Sequence, residues 1–209
     1  MPSMPSMPSK PSMQTIEHGD LFFTAAPDAA VELPQPFLVA GRLPRLLDAI
    51  EPAVAVLGFG LGAVAHLMLA ERPDARLVGV EPDAELTAAV PETLRRRVTL
   101  ESTDALSFLE RTRRRFDLVF DDCFVLAGGQ ATRPPELTRH AGRVAARLTE
   151  RGIYVRNLLP EAQRCLAEQC ADLRARFDHV ALRTFRDWEN VFAIASSRAL
   201  PPGWRDRLK

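Results

Sequence analysis

Short apolar runs alternate along most of the chain with stretches whose apolar residues recur at helical spacing. The runs 53–57, 76–81, 98–101, 116–121 and 152–158 read as strands, and 61–71, 84–95, 105–113 and 135–150 between them read as helices. Strands alternating with helices of this length imply right-handed crossovers and a parallel sheet covered on both faces. The strands are accordingly apolar along their whole length. A further helix carries Ala162, Cys165, Leu166, Cys170, Leu173 and Phe177 on one stripe. After it, the runs 180–185 and 190–196 are joined by only Arg186–Glu189, a connection that fits antiparallel neighbours. The pattern predicts an α/β, doubly wound sheet of seven strands, mostly parallel and ending in an antiparallel hairpin.

The region ahead of this rhythm is different. Residues 1–13 repeat Met-Pro-Ser, which removes backbone donors and offers no core, so a disordered tail is expected. Residues 14–52 form a short N-terminal segment. There Leu21, Phe22 and Phe23 suggest a short strand or aromatic plug, and a helix from Pro36 to Ile50 is divided by Gly41 and Pro44. Residues 53–209 are left for one ligand-binding domain, a division that suits a chain of 209 residues.

Composition narrows the class. Apolar residues make up 46% and charged residues 26%, and 27 basic side chains balance 27 acidic ones, so neither membrane spanning nor general attraction to nucleic acid is expected. Lys10 and Lys209 are the only lysines, so positive charge rests on arginine. Cys123, Cys165 and Cys170 lack CxxC spacing, which argues against a disulfide framework or metal site and fits a reducing cytoplasm.

Candidate chemistry begins after the first strand of the sheet, at Gly58-Phe59-Gly60-Leu61-Gly62-Ala63. Glycines there permit a tight turn and close approach of a ligand, and the helix start offers N–H groups and a positive dipole end. Glu81 closes the second strand, where a carboxylate is placed to accept hydrogen bonds from ribose hydroxyls. A nicotinamide dinucleotide would suit the same glycines. It requires a second nucleotide-binding half, for which little chain remains, and the terminal hairpin fits it badly.

From about Val54 to Ser197 the chain resembles the class I S-adenosylmethionine-dependent methyltransferase fold, a Rossmann-like sheet of seven strands ending in a hairpin. VAVLGFGLGAVAHLML, LVGVEPD, RVTLESTDALSFLE and FDLVFDDCF look like the corresponding blocks of its spermidine synthase (aminopropyltransferase) branch. The resemblance implies S-adenosylmethionine as cofactor. Gly58, Phe59, Gly60 and Gly62 would lie along its methionine and sulfonium part, Glu81 with Pro82 at the ribose, and Asp104 with Ala105 at the adenine. Asp104 also suits the N-cap of the following helix. Asp121 and Asp122 end the fourth strand, where adjacent side chains point to opposite sides. Asp121 is expected beside the cofactor, while Asp122 takes the place of the carboxylate that helps deprotonate the acceptor. His140 is the other candidate base, although a lone helical histidine is more often exposed. Cys123 reads as pocket wall, and Trp188 and Trp204, with Phe185 and Phe192, as packing of the hairpin.

The chain also departs from the aminopropyltransferase pattern. The second acidic residue of that family's D-S-x-D-P segment falls on Val125, and the aspartate of its glycine-rich loop is replaced by Leu61. Both changes remove carboxylates expected to hold cationic amines. The leading expectation is therefore methyl transfer to a small molecule, with no nucleic-acid, membrane or metal partner. The alternatives are aminopropyl transfer from decarboxylated S-adenosylmethionine, and a non-catalytic binding protein that kept the fold. The resemblance implies a homodimer, while the short N-terminal region lacks the domain that usually builds one. The loop 124–135 and the segment up to Pro36 are expected to shape the acceptor pocket, with Ala127–Thr132 flexible enough to close over it.

Overall fold

The computed structural model describes residues 14–18, 21–25, 35–127, 130–158 and 166–209. The expected tail at 1–13, and Ala162 and Cys165 of the apolar stripe, lie outside the described residues.

The chain first pairs β1 (Gln14–His18) with β2 (Leu21–Ala25) antiparallel. Helix α1 (Gln35–Arg42) then passes into a 3-10 turn, Leu43–Leu46, with Pro44 in its first turn. The break expected near Gly41 and Pro44 falls between Arg42 and Leu43, and the helical segment ends at Leu46 rather than at the expected Ile50. Four strands follow with the expected intervening helices: β3 (Ala53–Leu57), α2 (Ala63–Glu71), β4 (Arg76–Val80), α3 (Ala84–Ala89), α4 (Glu92–Arg95), β5 (Val98–Glu101), α5 (Ala105–Arg111) and β6 (Phe116–Asp121). The helix predicted over 84–95 is two helices, because Pro91 has no amide to donate and pushes Val90 out of helical geometry. Asp83 caps α3 by accepting the amides of Glu85 and Leu86.

Beyond β6 the structure adds one element and corrects another. The expected flexible loop carries a hairpin of β7 (Val125–Ala127) and β8 (Gln130–Thr132), in register Val125↔Thr132. The single helix expected over 135–150 is a 3-10 turn, Pro135–Leu137, then the short α6 (Ala141–Ala145). Strand β9 (Leu148–Leu158) has already begun four residues before the expected Gly152. Pairing of Leu148 with Phe116, and the hydrogen bond from Thr149 Oγ1 to Asp117 at 2.9 Å, hold those residues extended against their helical spacing. Helix α7 (Leu166–Arg174) precedes β10 (His179–Phe185) and β11 (Trp188–Ser196), and α8 (Trp204–Arg207) ends the chain. The hairpin turn is two residues, Arg186 and Asp187, shorter than the four expected.

The seven-stranded sheet has the order β10-β11-β9-β6-β3-β4-β5, parallel from β9 to β5, with β11 antiparallel to both its neighbours. Alternation along the strands sorts the core into two layers. Val54, Val56, Phe120, Val155 and Phe192 pack with α1 and α2, whereas Ala55, Leu57, Val119 and Tyr154 pack with α5, α6 and α7. Leu173 and Phe177 are buried in the second layer and Cys170 is buried too, as their stripe predicts. No described helix is long and apolar enough to cross a membrane.

Candidate functional site

The strand order reverses beside β3: β4 and β5 extend the sheet on one side and the chain then crosses back to β6 on the other. At such a switch point the connections leave on opposite faces and a crevice opens at the carboxyl ends of the strands. A cavity of about 990 Å³ lies here. That is the upper end of the ~300–1,000 Å³ range of small-ligand sites, room for two small molecules side by side.

The glycine turn after β3 forms one wall. Gly58 has φ +74°, and a Cβ on it would lie 2.4 Å from the carbonyl oxygen of Asp122, so a side chain is excluded both by backbone geometry and by the closeness of the β6 end. The amide of Asp122 in turn donates to Leu57 O at 2.8 Å, locking the two strand ends together. The turn's own amides are largely committed within the protein. Gly58 and Phe59 both donate to Val80 O at 3.0 Å, Gly62 donates to Phe59 O, and Gly60 donates to Glu81 Oε2 at 2.9 Å. What this turn offers a ligand is close approach more than free donors.

Glu81 is buried, and its Oε1 accepts the amide of Asp83 at 3.2 Å. Burial pushes its carboxyl above the usual range against the pull of those two amides. Each carboxylate oxygen retains a lone pair for a further donor. Asp104 accepts the Ser107 amide at 2.9 Å and caps α5, hydrogen bonds that hold its carboxyl below the ordinary range. Of the residues expected at the cofactor, Gly58, Phe59, Gly60, Glu81, Pro82, Asp104 and Ala105 all line the cavity. Gly62 and Asp121 do not. The Cβ position of Gly62 is taken up by Leu94 and Phe59, and its φ of +84° serves the start of α2.

Asp121 faces the opposite layer. Its Oδ1 accepts from Arg133 at 2.8 Å and its Oδ2 from the Tyr154 hydroxyl at 2.6 Å, with His140 Nε2 at 3.0 Å. Arg156, across the sheet from Asp121, donates to the Tyr154 hydroxyl at 2.9 Å and pairs with Asp172 at 3.3 Å. Two carboxylates thus meet two guanidiniums in a fully hydrogen-bonded group. Burial alone pushes the Asp121 carboxyl up, yet Arg133, His140 and Arg156 outweigh it and hold it well below the usual range. His140 is fully buried, its Nδ1 donating to Leu137 O at 2.6 Å, and it does not line the cavity. The histidine expected on the surface, or as a base, is part of this structural group.

Asp122, one residue on, reaches the cavity. Its Oδ1 accepts from Asn157 Nδ2 at 2.8 Å, and Asn157 Oδ1 accepts from Asn190 Nδ2 at 3.2 Å. No described residue hydrogen-bonds its Oδ2. Burial and neighbouring Asp121 push this carboxyl up to about 6, against the opposing effect of Asn157 and Arg133. A carboxylate of that strength, with one oxygen held and one open, has the form of a general base. Cys123 is cavity wall, as expected, and burial pushes its thiol well up, away from thiolate reactivity.

The remainder of the cavity is apolar. Phe37 of α1, Leu61, Phe120, Val125, Phe192 and Trp188 contribute to it. Trp188, opposite Phe185 in the hairpin, is 44% exposed and also lines the cavity, whereas Phe192 is buried and stacks edge-on with Phe120 and Phe185. Its carboxylates are Glu81, Asp83, Asp104, Asp122 and Glu136; among the described lining residues there is no Arg, Lys or His. Arg133, Tyr154, Arg156, Asn157 and Asn190 were not singled out from the sequence. Arg156 could have been, because a charged residue inside the apolar run of β9 must find a buried partner.

No family model matches this chain, and no curated protein matches it. Solved structures do. Human methyltransferase-like protein 13, in complex with SAH, is similar at 20% identity and TM-score 0.62 over 81% of this chain and 80% of that one. A probable spermidine synthase from Corynebacterium glutamicum is similar at 21% identity and TM-score 0.66, over 83% and 69%. A 16S rRNA methyltransferase from T. thermophilus, in complex with AdoMet and guanosine, is similar at 19% identity and TM-score 0.61, over 91% of this chain and 52% of that one. The chain therefore has the class I S-adenosylmethionine-dependent methyltransferase fold, which spermidine synthases share.

Proposed function

We propose that the protein is an S-adenosylmethionine-dependent methyltransferase, spermidine synthase-like in its cofactor site, that acts on a small molecule. The observation that carries this reading is the cavity itself. It sits at the switch point of this fold, has seven of the expected cofactor residues in its lining, and is lined by carboxylates with no basic side chain among its described residues. Such a lining suits a cation like a sulfonium and disfavours phosphate groups, which also favours a small acceptor over nucleic acid. Gly58, Phe59 and Gly60 would hold the methionine part, Glu81 and Pro82 the ribose, and Asp104 and Ala105 the adenine. When bound, the sulfonium would supply a methyl carbon activated toward an acceptor's lone pair, with a neutral thioether as leaving group. The chain's own residues hold the reactants in line, exclude water behind Phe120 and Phe192, and take the acceptor's proton on Asp122 Oδ2.

Methyl transfer is favoured over aminopropyl transfer by Leu61 and Val125. Both line the cavity, and neither can grip a cationic amine where the aminopropyltransferase pattern has carboxylates. The test is isothermal titration with S-adenosylmethionine and its demethylated product. Both should bind saturably, and Glu81→Ala should weaken them by about 10- to 100-fold, the loss of charge-assisted hydrogen bonds. No binding at millimolar ligand would favour a non-catalytic protein; an unchanged dissociation constant in the variant would overturn the assignment of Glu81.

A further inference from the structure

Besides the expected cofactor residues, the cavity is lined by Phe37, Phe120, Phe192 and Trp188, with Asn157 hydrogen-bonded to Asp122 and Asn190 to Asn157. Three observations bear on what fits there. First, no described lining residue is basic, so a carboxylate or phosphate on the acceptor would meet only like charge. Second, most of the lining carboxylates are already engaged. Glu81 holds the amides of Gly60 and Asp83, Asp83 caps α3 and Asp104 caps α5, while Leu61 and Val125 stand where further carboxylates would be needed to hold a cation. Third, Phe37 is partly exposed and Trp188 is half out in solvent although its body is apolar, whereas Phe120 and Phe192 are buried against each other. Aromatic surface left at the mouth of a site is contact surface for an incoming apolar ring.

Building on the proposed methyltransferase reading, we infer that the acceptor is an uncharged, flat, mainly apolar molecule bearing one O–H or N–H. It lies against Trp188 and Phe37 with that group on Asp122 Oδ2. The acceptor's oxygen or nitrogen forms the new bond to the transferred carbon, its proton passes to Asp122 Oδ2, and the departing sulfur leaves as a neutral thioether. Trp188 is the specificity-determining residue of this arrangement, because it is the exposed aromatic face that the acceptor covers on entry.

The test uses the full chain saturated with S-adenosylhomocysteine and three probes with the same ring body and different charge: 2-naphthol, 2-naphthoate and 2-naphthylmethylamine, titrated calorimetrically at pH 7. The expected result is tightest binding of 2-naphthol, with naphthoate about tenfold or more weaker through like-charge rejection. Trp188→Ala should weaken 2-naphthol about tenfold by removing the stacking face, and leave the affinity for S-adenosylhomocysteine unchanged. Tighter binding of naphthoate or naphthylmethylamine overturns the inference, as does failure of all three probes on a protein that does bind S-adenosylhomocysteine. An unchanged naphthol affinity in Trp188→Ala removes the role of Trp188. If S-adenosylhomocysteine itself does not bind, the methyltransferase reading falls first and carries the inference with it.

Discussion

Replacing Asp122 by Asn should make the protein more stable at pH 8, and the gain should shrink as the pH falls. The Asp122 carboxyl is held at about 6 where its ordinary value is 3.8. The folded state therefore takes up a proton more readily than the unfolded chain, so ionised Asp122 penalises folding. That penalty is complete above pH 6, declines between 6 and 3.8, and vanishes below. At ~1.4 kcal/mol for each tenfold change in acid strength its ceiling is about 3 kcal/mol. Asp122 is partly solvated in the cavity, so screening by water reduces the expected gain to about 1–2 kcal/mol. Asn at this position keeps the acceptor for Asn157 Nδ2, so the substitution removes charge and little else. For a chain of this size the gain corresponds to a rise in Tm of about 3–6 °C at pH 8, falling to about a third of that by pH 4.5. Thermal unfolding followed by circular dichroism at the two pH values measures it. A variant less stable than the parent at pH 8, or equally stabilised at both values, would refute the argument that Asp122 is a strained base. Its kcat/KM should meanwhile drop by about 10²- to 10⁴-fold, the usual contribution of a positioned base.

The neighbouring substitution should act in the opposite direction. Asp121→Asn leaves Arg133 buried without its carboxylate and Arg156 with Asp172 alone, and should cost about 3–5 kcal/mol, read from urea unfolding at neutral pH; a loss under 1 kcal/mol would show the group to be solvated. Because its folded carboxyl is held low, Asp121 stabilises the fold at neutral pH, and that contribution is lost as the pH falls through its folded value. Asn157→Leu removes the amide that favours ionised Asp122. The acid limb of the kcat/KM profile should move to higher pH, and an unmoved limb would detach Asn157 from Asp122. Gly58→Ala must place a Cβ against Asp122 O with φ still positive, so a destabilisation of about 2 kcal/mol or more is expected from denaturant unfolding. An unperturbed melt would mean that the turn can relax.

The sheet was legible because burial on both faces writes long apolar runs, and β3, β5 and β6 begin and end where those runs do. The region 135–150 was not legible. Its apolar residues recur at helical spacing, yet Leu148 and Thr149 are claimed by Phe116 and Asp117, partners 32 residues earlier that no local pattern reveals. Pro91 breaks a helix whose periodicity continues through it. In the site, backbone-determined features were readable: glycines at a strand end, a carboxylate closing β4, a pair of aspartates closing β6. The residues that tune them lie on β9 and β11 or on the segment after β8, and only tertiary pairing brings Asn157, Asn190 and Arg133 to the two aspartates.

Those aspartates also explain how one strand end serves both stability and chemistry. Adjacent positions on β6 and at its end face opposite layers of the sheet, so identical side chains enter different surroundings. Asp121 meets Arg133, His140, Tyr154 and Arg156 and is fixed as a buried anion. Asp122 meets Asn157 and a mostly apolar cavity, where Asn157 and the charge of Arg133 only partly offset its burial. Arg133 also donates to the backbone oxygen of Asn157 at 2.9 Å and stacks on Phe124. The structural group therefore holds the strand that aims Asn157 at Asp122. The cost of leaving Asp122 a weakly solvated base is offset by a neighbour whose own ionisation the fold rewards, so a proton acceptor near neutrality can sit on a strand end that does not give way.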